Sequence, residues 1–171
     1  ELERIAMAPG TAKVHLKLDS GLSRGGARIE DWEALVTRAV ELDSRDKIDL
    51  VAVWSHLSGT SKDVDEASIA IFEEASNRAF ELGFTGYRHI ASSPAAFALP
   101  QSRYELVRIG VSAFGTSPID GRKASSFELE CPMTVTAEVI APQVISIGFL
   151  HGYFSKLSGK AKVLIGGHEY L

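Results

Sequence analysis

Residues 14–26 read VHLKLDSGLSRGG. Val14, Leu16 and Leu18 alternate with His15 and Lys17, the period of a strand with one buried face. The run ends at Asp19, a Ser20-Gly21 turn follows, and Arg24 stands just before the pair Gly25-Gly26. A solvated arginine does not need glycines beside it. An arginine aimed past a strand end at a bound anion gains from them, because glycine adopts backbone angles closed to other residues.

Working outward, helix-like and strand-like segments alternate. Ile29 to Leu42 is predicted helical, with Trp32, Leu35, Val36, Ala39 and Val40 on one face. Leu50 to Trp54 is a short valine-rich run, the pattern of a buried strand. Ala67 to Leu82 is predicted to be the longest helix, with Ile69, Phe72, Ala75 and Ala79 at helical spacing and Gly83 as its stop. Tyr87 to Ala91 is a strand. Ser93-Pro94 reads as an N-cap followed by proline at the first helical position. Leu106 to Ile109 is a fourth strand. This order implies an α/β fold with a parallel sheet, since parallel strands need a crossover. Periodicity leaves an open doubly wound sheet and part of a closed barrel equally available.

Beyond Thr116-Ser117-Pro118 the pattern changes. Met133 to Ile140 alternates with no helix behind it, Val144 to Phe149 and Ala161 to Ile165 are strand-like, and Ile165-Gly166-Gly167-His168 reads as a two-residue hairpin. Residues 1–118 and 119–171 are therefore read as separate domains, the second all-β and with little core of its own.

The 171-residue chain is 45% apolar, enough for a packed core, and its net charge of −4 with no basic run argues against nucleic acid as a partner. No apolar run approaches the roughly 18 residues of a membrane span. The opening ELERIAMAPG carries acids and no long apolar block, so it does not read as a secretory signal but as the tail of a helix. The single cysteine, Cys131, gives neither an internal disulfide nor zinc spacing and is read as a small buried hydrophobe, in keeping with a cytoplasmic location. No metal-ligand spacing, dinucleotide fingerprint or Walker loop is present.

The polar outliers collect at the predicted strand ends, where parallel α/β folds bind ligands. Arg24 follows the first strand, His56 the second, Ser92 and Ser93 the third, and Arg108 with Gly110 the fourth. Each has a plainer explanation: a loop arginine, a satisfied histidine, a pair of helix caps. Arg108, inside the apolar run LVRIG, is the hardest to explain so, because a buried charge requires a partner. Gly110 would let a backbone N–H approach a ligand. Together the group's arginines, hydroxyls and backbone N–H groups suggest a small anionic, phosphorylated ligand. His15 and His89, mid-strand, and His168, in the predicted turn, are set aside.

Taken in order, VHLKLDSGLSRGG, VWSHLSGTSKD, RHIASSPA, LVRIGVSAFGTSP and, more weakly, ISIGFLHGYFSKLSG resemble the alanine racemases. These are fold-type III pyridoxal-phosphate enzymes with an N-terminal (β/α)8 barrel and a C-terminal β domain. The resemblance implies that residues 1–118 are the second half of such a barrel and 119–171 the start of the β domain. It implies pyridoxal 5′-phosphate as cofactor, an amino-acid substrate, a homodimer and a bacterial role in D-alanine supply for peptidoglycan. Arg24 would bond the cofactor's phenolic oxygen near the substrate carboxylate. His56 would bond the catalytic tyrosine. Arg108 would face the pyridine nitrogen and keep it unprotonated. Ser93, with backbone N–H groups near Gly110 and Val111, would cradle the phosphate.

The chain departs from the family at several points. Ser92-Ser93 stands for the usual Asn-Ser, Phe114 for a tyrosine, and Gly148-Phe149-Leu150-His151-Gly152 for Gly-Tyr-Ala-Asp-Gly. The cofactor-bearing lysine and the catalytic tyrosine, the two bases of racemisation, match no position; the tyrosine stretch would fall at the join Ala141-Pro142-Gln143. The expectation is a racemase represented by a partial chain, with both bases outside it. The alternatives are a serine racemase and a non-catalytic binding protein with a degenerate cofactor pocket.

Overall fold

A computed structural model describes residues 1–142, 144–157 and 159–170. Gln143 of the join and Leu171 at the end of the second predicted domain lie outside the described residues. The chain divides into two compact units, Glu1–Pro132 and Met133–Leu171.

In the first unit a short helix α1 (Leu2–Ala6) precedes β1 (Ala12–Lys17), α2 (Ile29–Asp43), β2 (Ile48–Trp54), α3 (Lys62–Glu81), β3 (Tyr87–His89) and α4 (Ser93–Ala98). The strands form a parallel sheet in the order β1-β2-β3. Val14, Leu16, Leu18 and Val53 bury one sheet face against Trp32, Val36 and Ala39 of α2 and Ile69, Phe72, Ala75 and Ala79 of α3. The indole of Trp32 is 2% exposed and donates to the Ala75 carbonyl at 2.9 Å, tying α2 to α3. Ser61 starts α3 by accepting from the Val64 N–H at 3.3 Å, one of the donors a helix N-terminus leaves open.

The β1–β2 ladder carries one irregularity. Val14 pairs with Leu50 but His15 pairs with Ala52, so Val51 is skipped. A skipped residue shifts the faces of everything beyond it. Past the skip Lys17, Trp54 and His89 stand side by side in one row across the three strands. Val51 also presses on the turn before β3. A Cβ added at Gly86 would sit 2.1 Å from the Val51 carbonyl oxygen, so only glycine fits there.

The fourth predicted strand does not form a regular ladder. Leu106 N–H reaches Arg88 O at 3.3 Å and Arg108 N–H reaches Ala91 O at 3.0 Å. Two residues on one side therefore span three on the other, and pairing fails. The segment still runs beside β3, which delivers Arg108 to the sheet. The helix cap is corrected by one residue. Ser92 is the extended N-cap of α4 and makes no side-chain cap bond, while Ser93 is the first helical residue. Cys131 is exposed rather than buried; its backbone packs where a Cβ on Gly115 would fall, 2.6 Å from the Cys131 Cα.

In the second unit β4 (Val139–Ala141) pairs antiparallel with β5 (Val144–Ile145), and β6 (Val163–Ile165) with β7 (His168–Tyr170). The two-glycine hairpin forms as expected: Ile165 pairs with His168, and Gly166 and Gly167 have φ of 56° and 85°, the left-handed pair such a turn requires. The alternation from Met133 to Ile140 becomes strand only at its end. The run Val144 to Phe149 stops at Ile145, because Gly148 caps a tight turn over Phe149–His151 and donates its N–H to His151 Nδ1 at 3.2 Å. None of the described residues in 133–170 is buried, so alternation there has no surface to pack on.

Candidate functional site

The opening motif closes into a compact loop. Ala27 N–H bonds Lys17 O at 2.7 Å and Asp19 N–H bonds Ala27 O at 2.8 Å, so the chain returns to β1 after eight residues' worth of excursion from Asp19 to Gly26. Gly26 lies on that return with φ 122°; a Cβ there would sit 2.8 Å from Asp19 N and 2.9 Å from Leu18 C. The Asp19 carboxylate folds inward and accepts from Ser23 N–H at 2.9 Å and Gly21 N–H at 3.1 Å, which holds its carboxyl below the ordinary value. Lys17 Nζ donates to Arg24 O at 3.1 Å. The glycines thus serve loop closure, and Arg24 is carried, exposed, at the apex.

Beneath this loop the two buried hydroxyls of Ser20 and Ser55 meet at 2.7 Å, and Ser55 donates on to Leu18 O at 2.8 Å. Ser55 therefore locks the ends of β1 and β2 together. Its carbonyl oxygen accepts from Arg108 Nη2 at 3.0 Å.

Arg108 is the hub. Nη1 lies 2.7 Å from His89 Nδ1, and Nη2 lies 2.9 Å from His56 Nδ1 and 3.2 Å from Ile90 O. Its guanidinium carbon stands 4.8 Å from the centroid of the Trp54 ring, and Lys17 Nζ is 5.0 Å from the same centroid. His89 stacks on Trp54, the planes 16° apart, and its Nε2 lies 3.0 Å from His15 Nδ1. Every one of these partners is neutral. A cation held by imidazoles, carbonyl oxygens and an indole keeps its charge unneutralised, and Lys17 and Arg24 add to the same field. The site is therefore built to attract a negative group.

The histidines respond to that field. Burial, then the charge of Arg108, then the His15 ring push His89 down to about 4. Burial first, then Arg108, Arg24 and Lys17, hold His56 below its ordinary value. Both rings are neutral at pH 7 and act as hydrogen-bonding groups rather than cations.

This has a consequence for stability. His89 binds its proton at about 4 when folded against 6.5 when free, so the unfolded chain protonates first as the pH falls. The contribution of His89 is complete above pH 6.5 and is lost on acidification to about 4. His56 acts in the same sense. Urea midpoints measured from pH 7 to pH 4.5 are expected to fall, and to fall less in His89→Phe. A midpoint independent of pH over that window would remove both rings from the site as described.

Of the residues singled out in the sequence, His56 and Arg108 are in direct contact, and so are Ser93 and Gly110, whose N–H donates to Ser93 Oγ at 2.9 Å. That bond corrects one expectation: the Gly110 N–H is engaged by Ser93 rather than open to a ligand. Val111 opens the short turn Val111–Phe114, whose first N–H groups have no partner within the turn. Ser92 is half-buried at the cap, and Arg24 makes no ion pair among the described residues. The sequence reading missed His89, His15, Trp54 and Lys17. Their shared signal is that His15 and Lys17 occupy the non-core side of β1, the side on which Trp54 and His89 also fall.

The sequence and the fold match a single family. Residues 1–118 match the profile of the alanine racemase N-terminal domain, and the chain belongs to that family. It is 35% identical over 141 residues to the alanine racemase of Salinispora arenicola, a match covering 80% of this chain and 37% of that protein. The crystal structure of alanine racemase from D-cycloserine-producing Streptomyces lavendulae superposes with a TM-score of 0.74 at 25% identity, over 98% of this chain and 51% of that one. Alanine racemase from Streptomyces coelicolor A3(2) gives 0.70 at 32% identity, over 75% and 36%. The chain thus spans about two fifths of the length of the curated relatives it matches, 37% and 40% for two Salinispora proteins. Among the described residues no helix is long and apolar enough to cross a membrane.

Proposed function

We propose that this chain forms the cofactor-facing part of a pyridoxal-phosphate-dependent alanine racemase, with residues 1–118 as the second half of its (β/α)8 barrel and 119–171 as the start of its β domain. The observation that carries the proposal is the arginine hub: among the described residues Arg108 spends its donors on two imidazoles and two carbonyl oxygens, and on no carboxylate.

Two features of the chain suit the cofactor. Ser93 Oγ accepts from Gly110 and so keeps its own proton free to donate to a phosphate oxygen. Ser112, two residues beyond Gly110, has a buried hydroxyl with no hydrogen-bond partner among the described residues, a donor available at the same turn. Bound, the cofactor supplies an electron sink that acidifies the substrate's α-hydrogen.

The residues of this chain then bind and orient. Ser93 and the Val111 N–H would hold the phosphate. Arg108 would face the ring nitrogen as a permanent donor and so deny it a proton. Arg24, from its loop apex, would address the phenolic oxygen and the substrate carboxylate. His56 receives Arg108 on Nδ1 and therefore presents Nε2–H, a donor suited to the oxygen of a catalytic tyrosine. The bases that move the α-proton are a lysine and that tyrosine, neither matched by a position of this chain. A homodimer acting on alanine in the cytoplasm completes the proposal.

The test is conversion of L-alanine to D-alanine by the purified full-length protein with pyridoxal phosphate, followed by optical rotation. Racemisation of alanine is the expected result. Racemisation of serine in preference would reassign the substrate. Cofactor binding without any racemisation would replace the enzyme by a binding protein, the outcome toward which Phe149, His151 and Ser92 point.

A further inference from the structure

An arginine can only donate hydrogen bonds. That single fact assigns the proton of His89 and, through it, that of His15. Arg108 Nη1 lies 2.7 Å from His89 Nδ1, so that nitrogen accepts and carries no proton. Neutral His89 must then be protonated on Nε2, which lies 3.0 Å from His15 Nδ1. His15 Nδ1 accepts in turn, and its own proton sits on Nε2. The reverse assignment fails at both ends. A proton on His89 Nδ1 would face a guanidinium N–H, and one on His15 Nδ1 would face the His89 Nε2–H.

We propose that His15 is a positioning residue for Arg108: by accepting the His89 Nε2 hydrogen it holds the His89 ring in the orientation whose Nδ1 receives Arg108. The inference rests on the reading above that Arg108 faces the cofactor ring.

The lock is reciprocal. Turning the His89 ring over would place carbon at both Arg108 and His15 and lose both bonds at once. The ring is also packed in place, stacked on Trp54 at 5.5 Å and edge-on to His15 at 5.2 Å. Adding a proton instead would set a second cation against the guanidinium. The charged or titratable groups around His89 are Arg108 from the segment beside β3 and His15 from β1; β2 contributes the uncharged Trp54 ring, with Lys17 of β1 over it. No carboxylate appears among these partners, so nothing favours an imidazolium. A defined Nδ1 acceptor in turn fixes the Nη1 end of Arg108, while Ser55 O, Ile90 O and His56 fix the Nη2 end. His15 thus acts on Arg108 through one intervening ring, from a position that is itself exposed.

The experiment is tautomer-resolved 1H–15N correlation on the histidine rings of the full chain near neutral pH, in the native protein, His15→Phe and His15→Asn. The asparagine amide oxygen occupies the place of His15 Nδ1 and can still accept. Expected are Nε2–H tautomers for His15, His56 and His89 in the native protein. In His15→Phe, the His89 Nε2–H loses its acceptor, so its resonance should shift and broaden as the ring leaves its fixed orientation, and kcat for alanine racemisation should fall about 2- to 10-fold at unchanged KM, the scale of one hydrogen bond. His15→Asn should restore both. An Nδ1–H or imidazolium His89 in the native protein overturns the inference, as does a His89 signal and kcat untouched by His15→Phe. If the tautomers are as assigned but the protein neither binds pyridoxal phosphate nor racemises alanine, the lock stands and the racemase reading falls.

Discussion

Arg108→Glu is expected to lower racemisation by about 100- to 1,000-fold, the scale for removing a preorganised charge-stabilising donor from a site. The substitution does more than delete a cation. A carboxylate in this place faces the Ser55 and Ile90 carbonyl oxygens, which accept from Arg108 and offer no hydrogen to a carboxylate. It would also reverse the electrostatics of both rings: His56 and His89, held neutral partly by the guanidinium, would sit beside a negative group and take up a proton nearer pH 7. On the proposed reading, a carboxylate beside the cofactor ring would favour a protonated nitrogen, where arginine would deny it. The cofactor's absorption spectrum and steady-state turnover read the two effects separately. Unchanged turnover together with an unchanged spectrum would remove Arg108 from the site.

The second large effect concerns the platform beneath the site. Trp32→Ala is expected to destabilise the first unit by about 3–5 kcal/mol, the range for truncating a buried aromatic. Trp32 is 2% exposed and reaches from α2 to the Ala75 carbonyl of α3. Both helices are held against the sheet through this contact layer, so the cavity cannot close without moving one of them. Domains of this kind have about 5–15 kcal/mol in all, so the variant would keep only part of its margin. Urea unfolding followed by far-ultraviolet circular dichroism measures the change. Trp32→Phe, which loses the N–H but keeps most of the volume, should recover most of it. A loss under about 1 kcal/mol in Trp32→Ala would contradict a packed α2–α3 seam.

Much of the first unit could be read from residue order alone. The spacing of Trp32, Val36 and Ala39, and of Ile69, Phe72, Ala75 and Ala79, reports a buried helical face directly, and all seven are buried. Val14, Leu16 and Leu18 do the same for β1. What the sequence concealed depends on register. The offset between the 88–91 and 106–108 segments breaks the fourth strand, although LVRIG has the composition of one. His15 and His89 are 74 positions apart and meet only because the ladder skips Val51. Neither carries a local signature, whereas His56 and Arg108 lie at predicted strand ends. The cap moved from Ser93 to Ser92 for a similar reason. Either serine can precede Pro94 at a helix start, and the bond from Gly110 to Ser93 is made across the fold. In the second unit alternation overstates the strands, since exposed residues gain little from pairing without a surface to cover.

The skipped Val51 has a consequence for how this protein tolerates change. Its carbonyl oxygen occupies the volume of any side chain at position 86. A library of variants screened for activity would therefore return glycine at 86 as stringently as arginine at 108, though Gly86 contributes no atom to the chemistry. Intolerance at the two positions would look alike and mean different things. Gly86 variants would be lost because the chain cannot assemble around the bulge, and Arg108 variants because an assembled protein lacks its cation. Abundance scored beside activity tells them apart, so the permitted vocabulary at 86 reports on the register that brings Lys17, Trp54 and His89 into one row.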